Sequence, residues 1–486
     1  MSASSISLLD GRVTLHHGDV LEAMKALPDA SVHAVATDPP YHLTSIQKRF
    51  AKPGQKSAKS GKGASATGAY ARASAGFMGK NWDGGDIAFR PDVWRECFRV
   101  LKPGGYILAF ASTRGFGHMQ VAIEEAGFIT HPMILWVFGS GFPKAHNAAR
   151  AIDKTLGQQG DVVPSGDPVK RIRPGADQHK DGSWEKLDDR AYQPGEYMPG
   201  SDEAAAWAGH HYGGQALKPA CEPIYMGQKP FAEKNGALNL IAHGAGALNI
   251  DGCRVGTEAL PSQKAGDARI GTFERSDMVT PERLGRWPAN LIHDGSDEVL
   301  AAFPSDLKSG TGAVKRASSA QANGNAGAAY GAESREAGTP MISHGDSGSA
   351  ARFFYSAKAD ADDRIGSKHP TVKPVDLMRY LVRLVTPKGP AGQRGTVLDP
   401  FAGTGTTGEA AFCEGFNAIL IEREDEYVAD IKARMALCLA GPDERKREIA
   451  KRRDESADAG PLFESPSVER SDLGPEQDPE KNVGVA

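Results

Sequence analysis

Long apolar runs are absent from this 486-residue chain. No stretch reaches the roughly 18 consecutive apolar residues of a membrane-spanning helix. The first residues show no charged-then-apolar signal pattern. Cysteine is scarce: Cys97, Cys221, Cys253, Cys413 and Cys438 are five in all, odd in number, with no CxxC pair. That pattern excludes a disulfide framework and a cysteine zinc site, and it suits a reducing compartment. A soluble cytoplasmic protein with no membrane contact is therefore expected. Neither sign of charge dominates, since the formal net charge is −4. Any nucleic-acid surface must then be local. His16-His17 and His210-His211 are adjacent pairs without a third ligand at metal spacing, so no metal is expected. No internal repeat is visible. The length allows two or three domains and ample core.

What is present is punctuation by proline and glycine. The apolar run Val32-His33-Ala34-Val35-Ala36-Thr37 leads straight into Asp38-Pro39-Pro40-Tyr41. Proline has no N–H and a fixed φ, so a central strand cannot continue through it. The run reads as a buried strand ending at Asp38. Ligands of open α/β sheets sit beyond the carboxyl ends of strands. There Asp38 and the Pro39 carbonyl offer acceptors for an exocyclic amino group. Tyr41 offers a face for stacking, worth about 1–3 kcal/mol per base. The plainer alternative is a strand with a proline turn and Tyr41 packed at its rim.

Upstream, Arg12 to His16 is a strand candidate, followed by Gly18-Asp19 and a helical pattern through Leu21, Met24 and Leu27. Asp19 could accept from a bound nucleoside, cap the helix, or do both. From Tyr41 to Gly79 the chain is rich in Gly, Ala, Ser and Lys without a sustained period. Lys48, Arg49, Lys52, Lys56, Lys59 and Lys62 give that loop local positive charge suited to phosphates. A helix from Pro91 to Leu101, a strand from Tyr106 to Phe110, a helix through Met119 and Ile123, and a strand from Ile129 to Phe138 follow. This alternation is the signature of a parallel sheet covered by helices.

From about Lys144 to Ala350 the chain is polar and loop-rich, with short apolar islands. Cys221 to Met226 is expected to complete the sheet, and Leu238 to Ala242 looks helical. Thr257 to Glu282 and Ser309 to Ser349 have the composition of disordered segments. The regular pattern resumes at Phe353. Met378, Leu381, Val382 and Val385 mark one apolar helix face. Then comes the strand Thr396-Val397-Leu398 and the turn Asp399-Pro400-Phe401-Ala402-Gly403-Thr404-Gly405. A helix runs to about Cys413, and the strand Asn417 to Ile421 ends at Glu422. Gly403 and Gly405 allow close backbone approach, and the helix behind them favours an anionic group. Glu422 lies about 20 residues past the first glycine, as a ribose-binding acid does. The turn has no Gly-Lys-Ser/Thr, which disfavours a triphosphate. Gly403, Gly405 and Gly408 formally match GxGxxG, so this unit alone leaves a nicotinamide dehydrogenase open. Asp38–Tyr41 argues against it, because hydride transfer has no use for that tetrapeptide.

Together these blocks resemble the β class of amino-directed DNA methyltransferases, which move a methyl group from S-adenosylmethionine (AdoMet) to adenine N6 or cytosine N4. The catalytic motif comes first and the glycine turn late. His369-Pro370-Thr371-Val372-Lys373-Pro374 stands just before that turn, as in the family. The likeness covers roughly Val13 to Lys144 and Phe353 to Arg434. Around Phe77 to Trp82 and Gly141 to Lys144 the chain resembles phage- and prophage-type members. The resemblance implies an α/β, Rossmann-like, seven-stranded sheet in permuted order, with one reversed strand and a long loop-rich insert. Residues 1–143 are then expected as the catalytic half, 144–350 as a target-recognition insert and 351–440 as the AdoMet half; the charged composition of 441–486 suggests a tail whose first part extends a helix and whose remainder is disordered. The catalytic residues would be Asp38, Pro39, Pro40 and Tyr41. Asp19, Lys373, Pro374, Asp399, Phe401, Gly403, Gly405 and Glu422 would bind AdoMet, with Lys373 and Pro374 at its methionine end. The substrate would be adenine N6 in double-stranded DNA, with cytosine N4 as the alternative. Asp rather than Ser at the head of the catalytic motif favours adenine. No Pro-Cys pair exists for carbon-5 cytosine chemistry. An RNA or protein-glutamine methyltransferase would place the glycine turn first. An inactive DNA-binding module would not need Asp38, Glu422 and both glycines. The resemblance leaves room for a homodimer and for a cognate restriction endonuclease as partners.

Overall fold

A computed structural model describes residues 4–41, 86–141, 143–166, 194–260, 283–305, 347–357, 360–367, 369, 371–389 and 393–458, with short strand pairs between 169 and 192, 263 and 280, and 307 and 341. The polar loop after Tyr41 and the segment Phe77 to Trp82 lie outside the described residues, as do the end of the tail and most of the two segments expected to be disordered.

One sheet organises the molecule. Its strands in chain order are β1 (Ser4–Leu8), β2 (Val13–His17), β3 (Val32–Thr37), β4 (Leu101–Phe110), β5 (Ile129–Thr130), β6 (Ile134–Val137), β7 (Cys221–Gln228), β8 (Leu291–His293), β9 (Tyr355–Ser356), β10 (Thr396–Asp399) and β11 (Asn417–Glu422). The spatial order is β1-β2-β11-β10-β3-β4-β7-β6-β8-β9, with β5 beside β7. The neighbours β2, β11, β10, β3 and β4 run parallel. β7 is antiparallel to both β4 and β6. The expected seven strands, one of them reversed, are therefore β2 through β6 in spatial order. The sheet is nevertheless larger than expected, with eleven strands among the described residues. β1 folds back on β2 as a hairpin, and β8 and β9 extend the far edge in parallel.

Two strand boundaries differ from the sequence reading. The run expected as one strand from Ile129 to Phe138 is broken between β5 and β6, where Pro132 cannot donate to the ladder. β4 begins at Leu101 rather than Tyr106, passing Pro103-Gly104 through a register shift against β3. β7, inside the loop-rich region, fills the middle of the sheet as expected.

Alternation along β3 divides the core. Ala34 and Ala36 face one cluster, and Val35 faces the other. On the first face pack α5 (Val375–Val385), α6 (Thr406–Cys413) and α7 (Asp425–Leu437). On the second pack α1 (Val20–Lys25), α2 (Pro91–Val100) and α3 (Phe116–Glu125). α4 (Gly236–His243) lies against β4, and α8 (Pro442–Asp458) follows α7. Chain direction across the sheet diverges between β10 and β3: β10 leads to β11 on one side, β3 to β4 on the other. Such a divergence is where open α/β sheets bind ligands.

Candidate active site

β3 delivers Thr37 and Asp38 to the carboxyl edge of the sheet, and Pro39 stops it there. The Tyr41 hydroxyl turns back and donates to Asp38 Oδ1 at 2.8 Å. Lys373 Nζ lies 2.8 Å from Asp38 Oδ2 and 3.0 Å from Glu222 Oε2. It also donates to Tyr41 Oη at 3.2 Å, and Tyr41 Oη lies 3.4 Å from Glu222 Oε2. The ammonium sits 4.9 Å from the centre of the buried Phe110 ring. Burial works against the charged form of Lys373, but Asp38 and Glu222 outweigh it and raise its pKa. Burial, then Asp38 and Glu222, push the Tyr41 phenol well above its usual range.

Two features of this cluster differ from the sequence reading. Lys373, read there as lining the cofactor's methionine end, points its ammonium at Asp38 of the Asp38–Tyr41 tetrapeptide. Glu222 is missed by sequence reasoning altogether. Its signal is an acid near the start of an otherwise apolar strand, β7.

The glycine turn begins at Asp399, whose carboxylate is turned inward. Oδ1 accepts from Thr37 Oγ1 at 2.6 Å and from the Phe401 N–H at 3.1 Å, and Oδ2 accepts from Thr407 Oγ1 at 2.6 Å. Burial raises its pKa to about 6 against these bonds. Asp399 therefore shapes the turn and ties it to β3. Phe401 meets Trp94 edge-on, with ring centres 6.5 Å apart. Gly405 has φ +81°, and a Cβ there would meet Ile431 at 3.0 Å. Gly403 has φ +52°, and its added Cβ would lie 3.5 Å from His369 Nε2. Burial lowers the His369 pKa to about 4. Pro374 is buried at the start of α5, where its carbonyl accepts from Met378 N–H.

Glu422 closes the turn. Its Oε2 accepts from Gly403 N–H at 2.8 Å, and its Oε1 accepts from Arg423 and Glu424 N–H at 2.8 and 2.9 Å. Burial nonetheless raises its pKa to about 7. His17 pairs with Glu422 in register, and Gly18 N–H donates to the Glu422 carbonyl at 2.9 Å. Asp19 is thereby brought to the same edge, where its Oδ1 caps α1 through Leu21 and Glu22 N–H. Behind the turn, Arg434 is fully buried. It donates to the Thr404 carbonyl at 2.7 Å and pairs with Glu409 at 2.6 Å. Glu409 also meets Arg445 of α8 at 2.6 Å.

Residues 321–433 match the family model described as DNA methylase, N6/N4 type. Over those residues the chain is similar to the N6/N4 DNA methylases. AdoMet is the methyl donor of that family, and the donor set here fits it. A strand-end carboxylate at Glu422 suits ribose hydroxyls, and the glycine turn admits close backbone approach beside a second acid, Asp19. Solved structures similar to this chain include TTHA0409 of Thermus thermophilus, assigned as a DNA modification methylase. It is 17% identical with a TM-score of 0.33, covering 88% of this chain and 96% of that one. A complex of M1.HpyAVI with SAM is 15% identical with a TM-score of 0.33, covering 87% and 98%. The cytosine-N4-specific PvuII DNA methyltransferase is 14% identical with a TM-score of 0.36, covering 92% and 94%. Overlap at this level is low and carries no argument; the family match stands on residues 321–433. Among the described residues, no helix is long and apolar enough to cross a membrane.

Proposed function

We propose that this methylase transfers a methyl group from AdoMet to the N6 amino group of adenine in duplex DNA. The observation that carries this reading is the meeting of Asp38–Tyr41 with the Asp399–Gly405 turn, joined through Thr37 and Asp399 at 2.6 Å. An amino-group site and a nucleoside-binding turn then share one crevice. AdoMet supplies a sulfonium-activated methyl: the C–S bond breaks with its electron pair going to sulfur as the N–C bond forms.

The chain's own residues do the remainder. A target nucleotide is flipped from the duplex at a cost of a few kcal/mol. Tyr41 stacks on its base. Asp38 and the Pro39 carbonyl accept from the amino group, which orients the nitrogen lone pair toward the methyl. In-line positioning then supplies much of the acceleration. The methylated nitrogen sheds one proton, toward Asp38 or to water. Glu422 and Asp19 hold the ribose and adenine side of the cofactor. Pro374 and the Lys373 backbone line its methionine end. Residues 144–350 carry target recognition, and the lysines between Lys48 and Lys62 contact phosphates.

Asp at the head of the tetrapeptide favours adenine over cytosine. The test is methyl transfer from labelled AdoMet to unmethylated DNA, with nucleosides separated after digestion. Label in N6-methyladenine is the expected result. Label in N4-methylcytosine overturns the base assignment and keeps the mechanism. AdoMet binding without label in DNA overturns the DNA reading.

A further inference from the structure

The cluster around Asp38 contains more than acceptance of an amino group requires. Lys373 is only 7% exposed, and its single ammonium is shared between Asp38 at 2.8 Å and Glu222 at 3.0 Å. Two carboxylates and one ammonium leave a net charge of −1. In the arrangement seen here both Asp38 oxygens are engaged, Oδ1 by Tyr41 and Oδ2 by Lys373. A base amino group that binds Asp38 shares these oxygens with Tyr41 and Lys373 and competes with them for the carboxylate's charge. A buried ammonium left without a counter-ion is strongly disfavoured, because it has given up its hydration and gained nothing in return.

We propose that Glu222 is a positioning residue, the second counter-ion that keeps Lys373 anchored when Asp38 turns an oxygen to the substrate amino group. This deepens the reading above and rests on it. Glu222 reaches the cluster from β7, the reversed strand, while Asp38 comes from β3 and Lys373 from the segment before α5. With Glu222 in place, Lys373 can loosen from Asp38 without losing its charge partner. The net negative charge that remains also complements the positive charge that moves onto nitrogen as the methyl arrives. Without Glu222, Asp38 is the one carboxylate left to Lys373 among the described residues, and the substrate must compete with a buried ion pair.

The experiment compares wild type, Glu222→Gln and Glu222→Asp in DNA methylation assays across pH, with AdoMet binding and thermal melting measured in parallel. Glu222→Gln is expected to lower kcat by about tenfold or more while KM for AdoMet stays within about twofold. Glu222 is one of the two groups that hold the Lys373 ammonium charged, so the alkaline fall of kcat should move to lower pH in Glu222→Gln. Glu222→Asp should recover part of the rate and return the alkaline limb toward wild type. Amine acylation of Lys373, followed by peptide mass spectrometry, should be faster in Glu222→Gln than in wild type. A Glu222→Gln enzyme with wild-type kcat and pH profile overturns the proposal. So does one that loses AdoMet binding and melting temperature in step with kcat, since that is a merely structural role. A wild-type enzyme that binds AdoMet yet methylates no DNA overturns instead the function on which the proposal stands.

Discussion

Thr37 Oγ1 donates to Asp399 Oδ1 at 2.6 Å, joining residues 362 positions apart at the carboxyl ends of two adjacent strands. Thr37 is fully buried and Asp399 nearly so. This bond ties the tetrapeptide to the glycine turn. Thr37→Val keeps the shape and deletes the donor, leaving a buried carboxylate short of one partner. Unfolding in urea should show a loss of about 1–3 kcal/mol. Burial has already raised the Asp399 pKa to about 6, and losing a bond to its charged form raises it further. A raised carboxylate pKa lowers stability as pH rises through it. The deficit of Thr37→Val should therefore be larger at pH 8 than at pH 5.

Glu422 predicts how AdoMet affinity depends on pH. Ribose hydroxyls donate to a carboxylate and so bind its ionised form better. Burial holds the Glu422 pKa at about 7. Affinity measured by calorimetry should thus weaken as pH falls below about 7, by up to about tenfold per pH unit. Glu422→Gln should bind more weakly at pH 8 and lose most of this dependence. A wild-type affinity that is flat from pH 8 to pH 6 argues against ribose recognition by Glu422.

Asp38→Ala separates chemistry from cofactor binding. Lys373 keeps Glu222 as counter-ion at 3.0 Å, so the fold should hold. Methyl transfer should fall by about a hundredfold or more. AdoMet affinity should change little, because the turn and Glu422 are untouched. Parallel loss of both would place Asp38 in cofactor binding instead.

Arg434 is the brace of the glycine turn. Its guanidinium meets the Thr404 carbonyl, Glu409 and the Asp363 carbonyl with no exposure to solvent. Arg434→Met should cost about 3 kcal/mol, near the low end for breaking a buried pair, because Arg445 remains on Glu409. Arg434→Lys should not restore it, since one ammonium cannot reproduce the fork. Melting curves and AdoMet titrations of both variants check this.

Much of the fold is legible in the sequence, for local reasons. Pro39 stops β3 wherever the rest of the sheet lies, and Gly405 at φ +81° marks a turn that a residue with a Cβ adopts only under strain. The apolar spacing of α5 predicts its buried face, since Met378, Leu381, Val382 and Val385 all enter the core. Pro132, by contrast, splits a run that looks continuous by composition.

The side-chain constellation is only half legible. Asp38 and Glu422 stand at strand ends, where local punctuation announces them. Glu222 and Lys373 do not. Their meeting depends on a strand 181 residues from Tyr41 entering the sheet in reverse beside β4, and on a segment 332 residues from Tyr41 leading into α5. Arg434 and Glu409 read as ordinary helix charges until α6 and α7 close over them. The sequence by itself determined where β3 stops, which turn needs glycine and which acids stand at the ends of β3 and β11, because backbone chemistry acts over a few residues. Only the tertiary structure decided which charges share a partner. Burial turns solvated side chains into pairs that must satisfy one another, and that choice is made by packing across the sheet.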